Sequence, residues 1–514
     1  MKQTNNAIKF LMAQYRAIFK NAYFKGLATA ALVTAGLAVC AAQAKTVTLP
    51  QPGEGDSNSI TSSDKLNNVI IDGTAYFSGG ATPDDAAAAT NVTITNGSTL
   101  SNYPDTNAAL VVSGTLTVDG GTLDLSNSWF QGQAEFDKDD SDGFTGHLIA
   151  KNNGEINIEN SVFLTATASL GDGVTVNIGG HLQNAAENSK DWNTASSVLG
   201  VKASGSTTTS SMLINGATIN IKDDGLLTVN ANDDATPKST FTMNSGVINL
   251  MGSELARRAK DDTGKTNYDI TKDDIGAAIV STNSAVANFN GGQIIVGEGD
   301  VGQIHGTTMN FKGTTFDNAG TMQIGGRLTV KKSNTEAGAI SMTAGAINNS
   351  GVLLLGSAMS YDGETLVADN STITAKGGTI TNSSDGEVHV YSTLKMTGAD
   401  LDNEGNLIVE EYAIFELNEV KDNKTVDGVL TVGGNVQVDG RINVVNGTLD
   451  LSSASSITSQ GSATTLTNPQ NTISVGDLVN KQDTGATLKM TEQQVHDFLN
   501  TQGFVSAEQR DTAG

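Results

Sequence analysis

From about Asn67 to Thr458 the chain consists of short runs in which apolar and polar residues alternate, separated by glycine-rich turns. Leu116-Thr117-Val118 is followed, after Asp119-Gly120-Gly121, by Leu123-Asp124-Leu125. A period of two predicts a β-strand with one buried face, because successive side chains of a strand point to opposite sides. The same pattern recurs at Ile219–Ile221, Leu227–Val229, Met322–Ile324, Leu328–Val330, Val436–Val438 and Ile442–Val444. The pattern therefore predicts an all-β chain of many short strands.

Four corner segments that end in glycine precede such strands in the second half of the chain. They are Asp317–Gly320, Asn348–Gly351, Ser383–Gly386 and Asp402–Gly405, and the intervals between their glycines are unequal, the last being the shortest. We interpret each interval as one or two coils of roughly 16–20 residues. Glycine, asparagine and aspartate tolerate the positive φ that sharp corners require. The corners therefore predict a solenoid whose loops vary in length.

The length of the chain, 514 residues, exceeds the roughly 250–300 residues at which one compact core stops growing. A stacked array buries short aliphatic runs coil by coil, because each coil packs on its neighbours. We therefore predict a right-handed parallel β-helix (a β-solenoid) over residues 67–470, after a linker or cap at 45–66 and before a helical tail at 471–514. The alternative is a row of antiparallel sandwiches, which needs longer strands and more aromatic residues than the 5% found here.

Three segments depart from the alternation. Asn184–Ser211 and Glu254–Ile275 are polar and charged, and we predict that both are loops projecting from the β-helix. Thr491 opens a segment with apolar residues at helical spacing, which predicts a capped amphipathic helix near the end of the chain.

Residues 1–44 have the three parts of a signal peptide. The segment contains five basic and no acidic residues, Gly26–Ala42 is a small and apolar run, and Ala42-Gln43-Ala44 precedes Lys45. Small residues at the first and third of these positions are typical of a cleavage site, so we predict cleavage between Ala44 and Lys45. A retained membrane anchor is the alternative, but the run is shorter than the ~20 residues of a spanning helix.

Charge and cysteine content narrow the possible partners. The formal net charge is −25, and because the leader holds five basic and no acidic residues, the chain after residue 44 carries −30. Such a surface repels nucleic acid and anionic lipid, so we predict neither as a partner. Cys40, the only cysteine, lies in the leader, which excludes disulfides and zinc thiolates from the mature chain. A lipoprotein signal at Cys40 is disfavoured because Val39 occupies the place of a small residue.

The sequence presents no set of residues that matches a catalytic or metal site. Its histidines are scattered without metal-ligand spacing and are His147, His181, His305, His389 and His496. We expect His389 to point outward from a strand. Gly55-Asp56-Ser57-Asn58 resembles the nucleophile loop of serine proteases, but Asn58 replaces the required glycine and no histidine precedes it. Asp137–Gly143 lacks the sixth-position glycine and the twelfth-position glutamate of a calcium loop.

We therefore predict no catalytic residue, no metal and no cofactor. The alternative is a secreted polysaccharide-active enzyme with a β-helix fold. Such an enzyme needs acids clustered on adjacent coils, and basic residues where its substrate is anionic. No cluster of this kind recurs at coil spacing in the sequence.

Gln14-Tyr15-Arg16-Ala17-Ile18-Phe19-Lys20-Asn21 resembles the extended signal-peptide region of type V secreted proteins, the autotransporters and two-partner exoproteins. The acidic, cysteine-free and glycine-punctuated body also looks like the passenger domain of an autotransporter. This resemblance implies export through the periplasm to the outer membrane, cell surface or medium, with an outer-membrane translocator barrel as partner in cis or in trans. It further implies a structural or adhesive role toward a host surface, a glycan or an identical chain.

The end of the sequence departs from this family. Autotransporters finish in a membrane barrel that usually closes on an aromatic residue, whereas this sequence ends Asp511-Thr512-Ala513-Gly514. We therefore expect either that the sequence is a fragment without its barrel or that the barrel is a separate protein. A periplasmic or secreted β-solenoid unrelated to autotransport is the remaining alternative.

Overall fold

In the computed structural model the chain separates into two units, Met1–Lys45 and Thr46–Gly514, and every described residue belongs to the second. The described residues run from Thr46 to Gln494 with gaps. Outside the description lie residues 1–45, 50–58, 62–65, 79–85, 103–108, 126–132, 136–145, 160, 180–196, 203–209, 223–224, 231–238, 254–258, 261–265, 268–276, 326–338, 357–358, 362–364, 368–370, 411–412, 418–428, 445–447, 459–471, 476–486 and 495–514.

A single sheet of 41 strands winds through three stacks in which each strand pairs in parallel with the strand one coil further on. Stack A comprises β1 (Thr46–Leu49), β3 (Leu66–Ile71), the end of β5 (Ala87–Ile94), β8 (Thr115–Asp119), β11 (His147–Lys151), β14 (Thr167–Leu170), the starts of β17 (Ser211–Lys222) and β19 (Thr240–Met251), the ends of β22 (Ala277–Phe289) and β24 (Val301–Phe311), β27 (Ala339–Met342), β32 (Thr372–Ala375), β35 (Thr393–Met396), β38 (Ile414–Leu417), β41 (Arg441–Val444) and β44 (Thr472–Val475).

Stack B follows stack A along the chain. It comprises β2 (Ser59–Thr61), β4 (Thr74–Ser78), β6 (Thr99–Asn102), β9 (Thr122–Asp124), β12 (Glu155–Ile158), β15 (Thr175–Ile178), the ends of β17 and β19, β23 (Gln293–Val296), β25 (Thr315–Asn318), β28 (Ala346–Asn349), β33 (Thr379–Asn382), β36 (Asp400–Asn403), β39 (Val429–Val432), β42 (Thr448–Asp450) and β45 (Thr487–Lys489).

Stack C completes each turn. It comprises the starts of β5, β22 and β24 together with β7 (Ala109–Val112), β10 (Gln133–Glu135), β13 (Val162–Thr165), β16 (Ser197–Lys202), β18 (Gly225–Asn230), β26 (Thr321–Gly325), β29 (Val352–Leu355), β34 (Glu387–Val390), β37 (Asn406–Val409), β40 (Asn435–Val438) and β43 (Ser456–Thr458). Two small antiparallel pairs stand apart: β20 (Ala259–Lys260) with β21 (Thr266–Asn267), and β30 (Met359–Tyr361) with β31 (Thr365–Val367). This topology is a parallel β-helix, as the alternating runs predict.

The interior is filled by the side chains at every second strand position. In β8, for example, Leu116 and Val118 are fully buried while the residues between and beside them face outward. Phenylalanine rings continue from coil to coil within this core: the ring centroids of Phe241 and Phe289 are 5.1 Å apart, and those of Phe289 and Phe311 are 4.9 Å apart. Because each buried side chain of this size stabilises the fold by about 1.5–3 kcal/mol, stacking of coils supplies the core that no coil has alone.

The coils have very different lengths but keep one register. Val352 pairs with Thr321 of the preceding coil and with Glu387 of the following coil, and Glu387 in turn pairs with Asn406. The three glycine intervals of the corners therefore each correspond to a single coil. Our interpretation of them as one or two coils of roughly 16–20 residues is wrong for the two longer intervals. The longer coils gain their extra residues at corners, between strands whose pairing does not change.

A ladder of buried asparagines, which we call the inner ladder, lies beside the four predicted corners. The Nδ2 atoms of Asn318, Asn349 and Asn382 each donate a 2.6 Å hydrogen bond to the Oδ1 atom of the asparagine in the next coil, ending at Asn403. The four side chains are at most 2% exposed. The inner ladder is also bonded to backbone carbonyls, since Asn382 Nδ2 donates to Gly386 at 3.1 Å. Apart from Asn318 Oδ1 at the start of the inner ladder, these buried amides are therefore satisfied by each other and by the corners.

The four corner glycines have a different cause from the one we predicted. None of them has positive φ. Instead, a Cβ atom on Gly351 would clash with the carbonyl oxygen of Gly320, and one on Gly405 would clash with that of Gly386. Glycine is required there because consecutive corners stack backbone on backbone. Positive φ does occur at other corners, such as Gly120 at 70°.

The β-helix extends beyond both boundaries that the sequence predicted. At the start, β1 and β2 pair with β3 and β4, and at the end β44 and β45 pair with β41 and β42. The last described residues, 492–494, form a helical turn. The main-chain nitrogen of Gln494 donates to Thr491 Oγ1 at 3.2 Å, and Thr491 N donates to Gln494 Oε1 at 2.8 Å, which is a capping box. The right-handed sense of the β-helix stays a prediction.

The predicted loop Asn184–Ser211 is partly wrong. Its residues Ser197–Lys202 form β16, in which Val198 is 7% exposed and Leu199 and Val201 are fully buried. Both sides of this strand are covered, so its apolar residues are adjacent rather than alternating, and the period of two is lost. The described parts of Glu254–Ile275 are the antiparallel pair β20 and β21, which pair only with each other.

Candidate interaction surface

The outward side of stack A contains two rows of side chains in which no residue carries a formal charge between Thr46 and Thr374. Threonine, serine and asparagine dominate these rows, and each side chain is at least partly exposed. We call this surface the neutral face; it consists of Thr46, Thr48, Asn68, Ile70, Asn91, Thr93, Thr115, Thr117, His147, Ile149, Thr167, Ser169, Ser211, Leu213, Thr240, Thr242, Val286, Asn288, Thr308, Asn310, Ala339, Ser341, Thr372 and Thr374.

Hydrogen bonds between neighbouring coils order parts of the neutral face. Asn91 Nδ2 donates to Asn68 Oδ1 at 2.9 Å, and His147 Nδ1 is 2.7 Å from Thr167 Oγ1. Burial lowers the pKa of His147, so its ring is neutral near pH 7. The face therefore stays uncharged although it includes a titratable group.

Charges border the neutral face where the strands end. Asp119 and Lys151, at the ends of β8 and β11, form an ion pair of 3.0 Å. The hydrogen bond from Asn152, followed by that from Lys151, lowers the pKa of Asp119. Beyond Thr374 the next coils place Lys395 and Glu416 in the outward rows, 3.6 Å apart. Ionised groups therefore return at the edge and at the C-terminal end of the face.

The corners from stack A to stack B are short along most of the neutral face. From β3 to β35 they are the segments 72–73, 95–98, 120–121, 152–154, 171–174, 215–217, 244–246, 290–292, 312–314, 343–345, 376–378 and 397–399. The extra residues of long coils enter at the other corners, such as 179–196 between β15 and β16 and 326–338 between β26 and β27. From β3 to β35, the edge of the neutral face toward stack B is thus bordered by short corners.

Stack B carries a second asparagine ladder on its outward side, which we call the outer ladder. Asn177 Nδ2 donates to Asn157 Oδ1 at 2.7 Å, Asn220 Nδ2 to Asn177 Oδ1 at 2.8 Å, and Asn249 Nδ2 to Asn220 Oδ1 at 2.7 Å. These side chains are half-buried. Unlike the neutral face, the rows of stack B also contain carboxylates, at Asp124, Glu155, Asp317, Asp400, Asp402 and Asp450.

An open groove of about 310 Å³ crosses stack B near β23, β25 and β28. Its polar residues include Asp317, Asn348, Ser350, Thr381 and Ser383. Asp317 accepts hydrogen bonds from Gln293 Nε2 and, at 2.7 Å, from Asn348 Nδ2. Among the described residues of the lining, Asp317 is the only carboxylate. Glycoside hydrolysis normally uses two carboxyl groups, so the described lining lacks the usual catalytic pair.

Stack C differs from both other stacks because many of its outward positions are covered. Between β7 and β26 these positions include Val111, Leu226, Ala278, Gln303 and His305, of which none is more than 4% exposed. Gln303 Nε2 donates to Gln323 Oε1 at 2.9 Å within this covered region. The outward side of stack C is therefore not a continuous solvent-facing surface there.

Further along stack C, His389 lies between two carboxylates. Its Nδ1 atom is 2.7 Å from Glu410 Oε1, its Nε2 atom is 3.3 Å from Glu387 Oε2, and its ring stacks on that of Tyr391 at 5.9 Å. Burial lowers the pKa of His389, but the hydrogen bonds and charges of Glu410 and Glu387 outweigh burial and raise it. For the neighbouring Tyr391 hydroxyl, burial raises the pKa, because it disfavours the charged phenolate. His389 points outward from its strand, as we expected.

Of the residues singled out in the sequence, those that the structure describes are not brought together into one site. The cleavage residues Ala42, Ala44 and Lys45, the segment Gly55–Asn58, the run Asp137–Gly143, His181 and His496 lie wholly or largely outside the described residues. His147, His305 and His389 lie on different coils. Within the described part of the chain, no group of three or more histidine, cysteine or acidic residues could hold a metal ion.

The neutral face and the inner ladder were not predicted from the sequence. An asparagine two positions before Gly320, Gly351 and Gly405 was the available sign of the inner ladder.

For the described residues, we find no helix long and apolar enough to cross a membrane. Comparisons with protein-family models, curated proteins and solved structures give no match.

Proposed function

We propose that this protein is an exported β-helical passenger that acts at the cell surface as a structural or adhesive element, without catalysis. The parallel β-helix is the observed part of this assignment. The observation that carries the adhesive role is the neutral face, a long uncharged surface of hydroxyl and amide groups on an otherwise acidic chain. Export is supported by the leader, with its apolar run and the cleavage residues Ala42, Ala44 and Lys45.

The fold suits this role because its stability is additive along the axis. Each coil rests on its neighbours, so a long array can be stable without disulfides, in keeping with a single cysteine at Cys40. Repetition also places chemically similar groups at one coil spacing, roughly 4.7–4.9 Å. A weak contact at one coil is then repeated at the next, which raises the total affinity for an extended partner.

Reading the gene downstream of the codon for Gly514 is the first test. We expect a translocator barrel in the same frame or in a neighbouring gene. The full gene is then expressed in a Gram-negative host, where intact cells should expose the β-helix to added protease and the mature chain should begin at Lys45. An Ala44→Asp variant should remain unprocessed. A stop codon without a translocator nearby, or a chain protected in the cytoplasm, would contradict export to the surface.

The non-catalytic part of the proposal is tested separately. We expect no release of reducing ends when the purified protein is incubated with neutral or acidic polysaccharides. The groove at Asp317 offers a direct control, because hydrolysis that disappears in Asp317→Asn would favour a polysaccharide-active enzyme instead. Hydrolysis that persists in that variant would point to a contaminant.

A further inference from the structure

We propose that the neutral face binds an uncharged, polyhydroxylated polymer, that is, the surface of a neutral polysaccharide, with successive coils contacting successive parts of the polymer. This inference rests on the adhesive function proposed above and specifies its ligand and its location. It concerns the outward rows of stack A from Thr46 to Thr374.

The absence of charge on the neutral face favours an uncharged ligand. The chain carries a formal net charge of −25, and 17% of its residues are charged, yet the two rows contain no charged side chain across their whole length. At the margin, Asp119 and Lys151 neutralise each other in an ion pair. Other charged residues lie in the corners beyond the strand ends, among them Asp72, Lys312 and Lys376. A charged ligand would find no counter-charge on this surface and would lose hydration on binding. The face therefore matches a ligand that is itself uncharged.

The hydrogen-bonding capacity of the neutral face matches that of a sugar surface. Threonine and serine hydroxyls both donate and accept, and asparagine amides do the same through separate atoms. A sugar hydroxyl has the same dual character, so a polyhydroxylated surface can satisfy these groups in either direction. Threonine is restricted at χ1, and contacts such as the bond between His147 and Thr167 hold other groups in place. Little side-chain freedom is then lost on binding.

Composition distinguishes this ligand from a protein partner. The cores of protein–protein interfaces are enriched in aromatic residues, methionine and arginine. The neutral face has no phenylalanine, tyrosine, tryptophan, methionine or arginine, and its aliphatic residues are separated by polar ones, as Ile149 is from its neighbours Thr117 and Ser169. A second copy of the chain would therefore find hydroxyl groups and isolated aliphatic side chains, but no contiguous apolar anchor.

Access to the neutral face differs between its two long edges. The corners that join stack A to stack B are short from β3 to β35, so insertions do not border that edge. By contrast, the outward positions of stack C in the same coils are covered, with Leu226 3% and Ala278 1% exposed. The edge of the neutral face toward stack B can therefore approach a flat ligand. The insertions instead join the opposite edge to stack C, at 136–146, 203–210, 231–239, 326–338 and 356–371. Because each coil contributes only a few hydrogen bonds, binding should require a long or insoluble polymer rather than a short oligosaccharide.

The test measures the fraction of purified, processed chain retained on cellulose, chitin and starch particles, with a pectate gel as the anionic comparison. Retention on at least one neutral particle is expected, and it should change little between about 0.05 and 0.5 M salt because no charges contribute. Soluble oligosaccharides of the same sugar should not elute the protein. Failure to bind any of the three neutral particles, or retention that falls steeply with salt, would overturn the proposal.

Two matched variants locate the binding surface. The double substitution Thr117→Glu and Thr242→Glu places charges on the neutral face and should lower the bound-to-free ratio roughly tenfold or more. Thr218→Glu with Thr448→Glu adds the same charge to stack B and should leave the ratio within about twofold of the wild type. A third variant, Thr117→Gln with Thr242→Gln, keeps the face uncharged and should bind. Equal losses in both charged variants would contradict the assignment to stack A.

The outcomes separate this inference from the proposed function. Surface display without polysaccharide binding would leave the exported role standing and reject the ligand. Polysaccharide binding by a chain that is never exported would support the ligand and reject the exported role. Sedimentation analysis of the same variants tests whether the neutral face binds a second copy of the chain. That assignment would follow if the protein self-associates, if only Thr117→Glu with Thr242→Glu abolishes the self-association, and if no neutral particle retains the protein. All variants should keep the wild-type thermal midpoint.

Discussion

The inner and outer ladders contain the same side chain in the same fold but in opposite environments. In the inner ladder, Asn318 to Asn403 are at most 2% exposed and their hydrogen bonds are 2.6 Å long. In the outer ladder, Asn157 to Asn249 are half-buried and their bonds are 2.7–2.8 Å long. If an asparagine loses its hydrogen-bond partner, water can replace that partner in the outer ladder but not in the buried inner ladder. The same amide is therefore a structural requirement within the core and a modest contact at the surface.

The two ladders also differ in what surrounds each amide. Asn349 Nδ2 in the inner ladder bonds both to Asn382 and to the carbonyl oxygens of Gly351 and Glu387, each at 3.0 Å. At the start of the inner ladder, Asn318 Oδ1 is buried without a hydrogen-bond partner, because the preceding coil places Val296 there. At the far end, Asn403 is followed by Val432. The inner ladder is thus a bounded segment.

The largest effect should come from breaking the inner ladder in its middle. Asn382→Ala removes the acceptor of Asn349 and the donor to Asn403, and it leaves buried polar atoms that water cannot reach. We expect a loss of about 3 kcal/mol in the free energy of unfolding, measured by urea titration. Hydrogen exchange should show the loss in the coils containing Asn349 and Asn403. Equal stability of variant and wild type would mean that the inner ladder contributes no net stabilisation.

An intermediate effect should come from shortening the inner ladder at its start. Asn318→Val copies the valine that occupies the preceding coil and removes the unsatisfied oxygen as well as one ladder bond. Because the gain and loss partly cancel, we expect a cost of about 1 kcal/mol in the same titration. A cost equal to that of Asn382→Ala would show that position within the ladder does not matter.

A smaller, pH-dependent effect should come from the outward cluster at His389. Burial opposes the charged ring, but Glu410 and Glu387 raise its pKa above the usual value, while the register neighbours Leu354 and Ile408 are apolar. A raised pKa stabilises the fold below the unfolded value, and this contribution is lost as pH rises through the folded value. Because the carboxylates are 22% and 42% exposed, we expect under about 1 kcal/mol. His389→Gln should therefore destabilise the protein more at pH 5.5 than at pH 8.5 (roughly one unit or more on either side of the ordinary histidine value). An equal loss of stability at the two pH values would mean that the charged His389 ring does not stabilise the fold.

The smallest effect should come from the outer ladder. Asn220→Ala removes the bonds to Asn177 and Asn249, but both partners can turn to water. We expect a change of about 0.5 kcal/mol or less in the free energy of unfolding. The matched comparison is Asn382→Ala, the same substitution on the inward side of a strand, where the amide also donates to backbone carbonyl oxygens. A cost similar to that of Asn382→Ala would remove the distinction between the ladders.

The sequence predicts the strands of this fold well, because every second residue of a strand with one wet side must be apolar. It predicts less where that condition fails. In β16 both sides are covered, so Val198, Leu199 and Val201 give no alternation, and we assigned them to a loop. The inner ladder was missed for a related reason, since Asn318 is a polar residue at an inward position and breaks the alternation.

The neutral face was invisible in the sequence because its members have no fixed spacing. Thr115 and His147 are neighbours in adjacent coils, and so are His147 and Thr167, yet the first pair is much further apart along the chain than the second. Without a constant period, residues that share a face cannot be aligned by counting. The corner segments gave the correct order of coils from Gly320 to Gly405. The reason for glycine at these corners, which is backbone stacking on backbone, became visible only in the structure.

The unequal coils have a mechanical consequence. A β-helix pulled from one end unravels turn by turn, and each turn releases a length set by its number of residues, at most about 3.6 Å for each. The short turn from Glu387 to Asn406 would extend by about 70 Å, and the much longer turn from Leu226 to Ala278 by about 190 Å. Stretching single molecules would therefore yield an ordered series of unequal steps, each with the length of one coil.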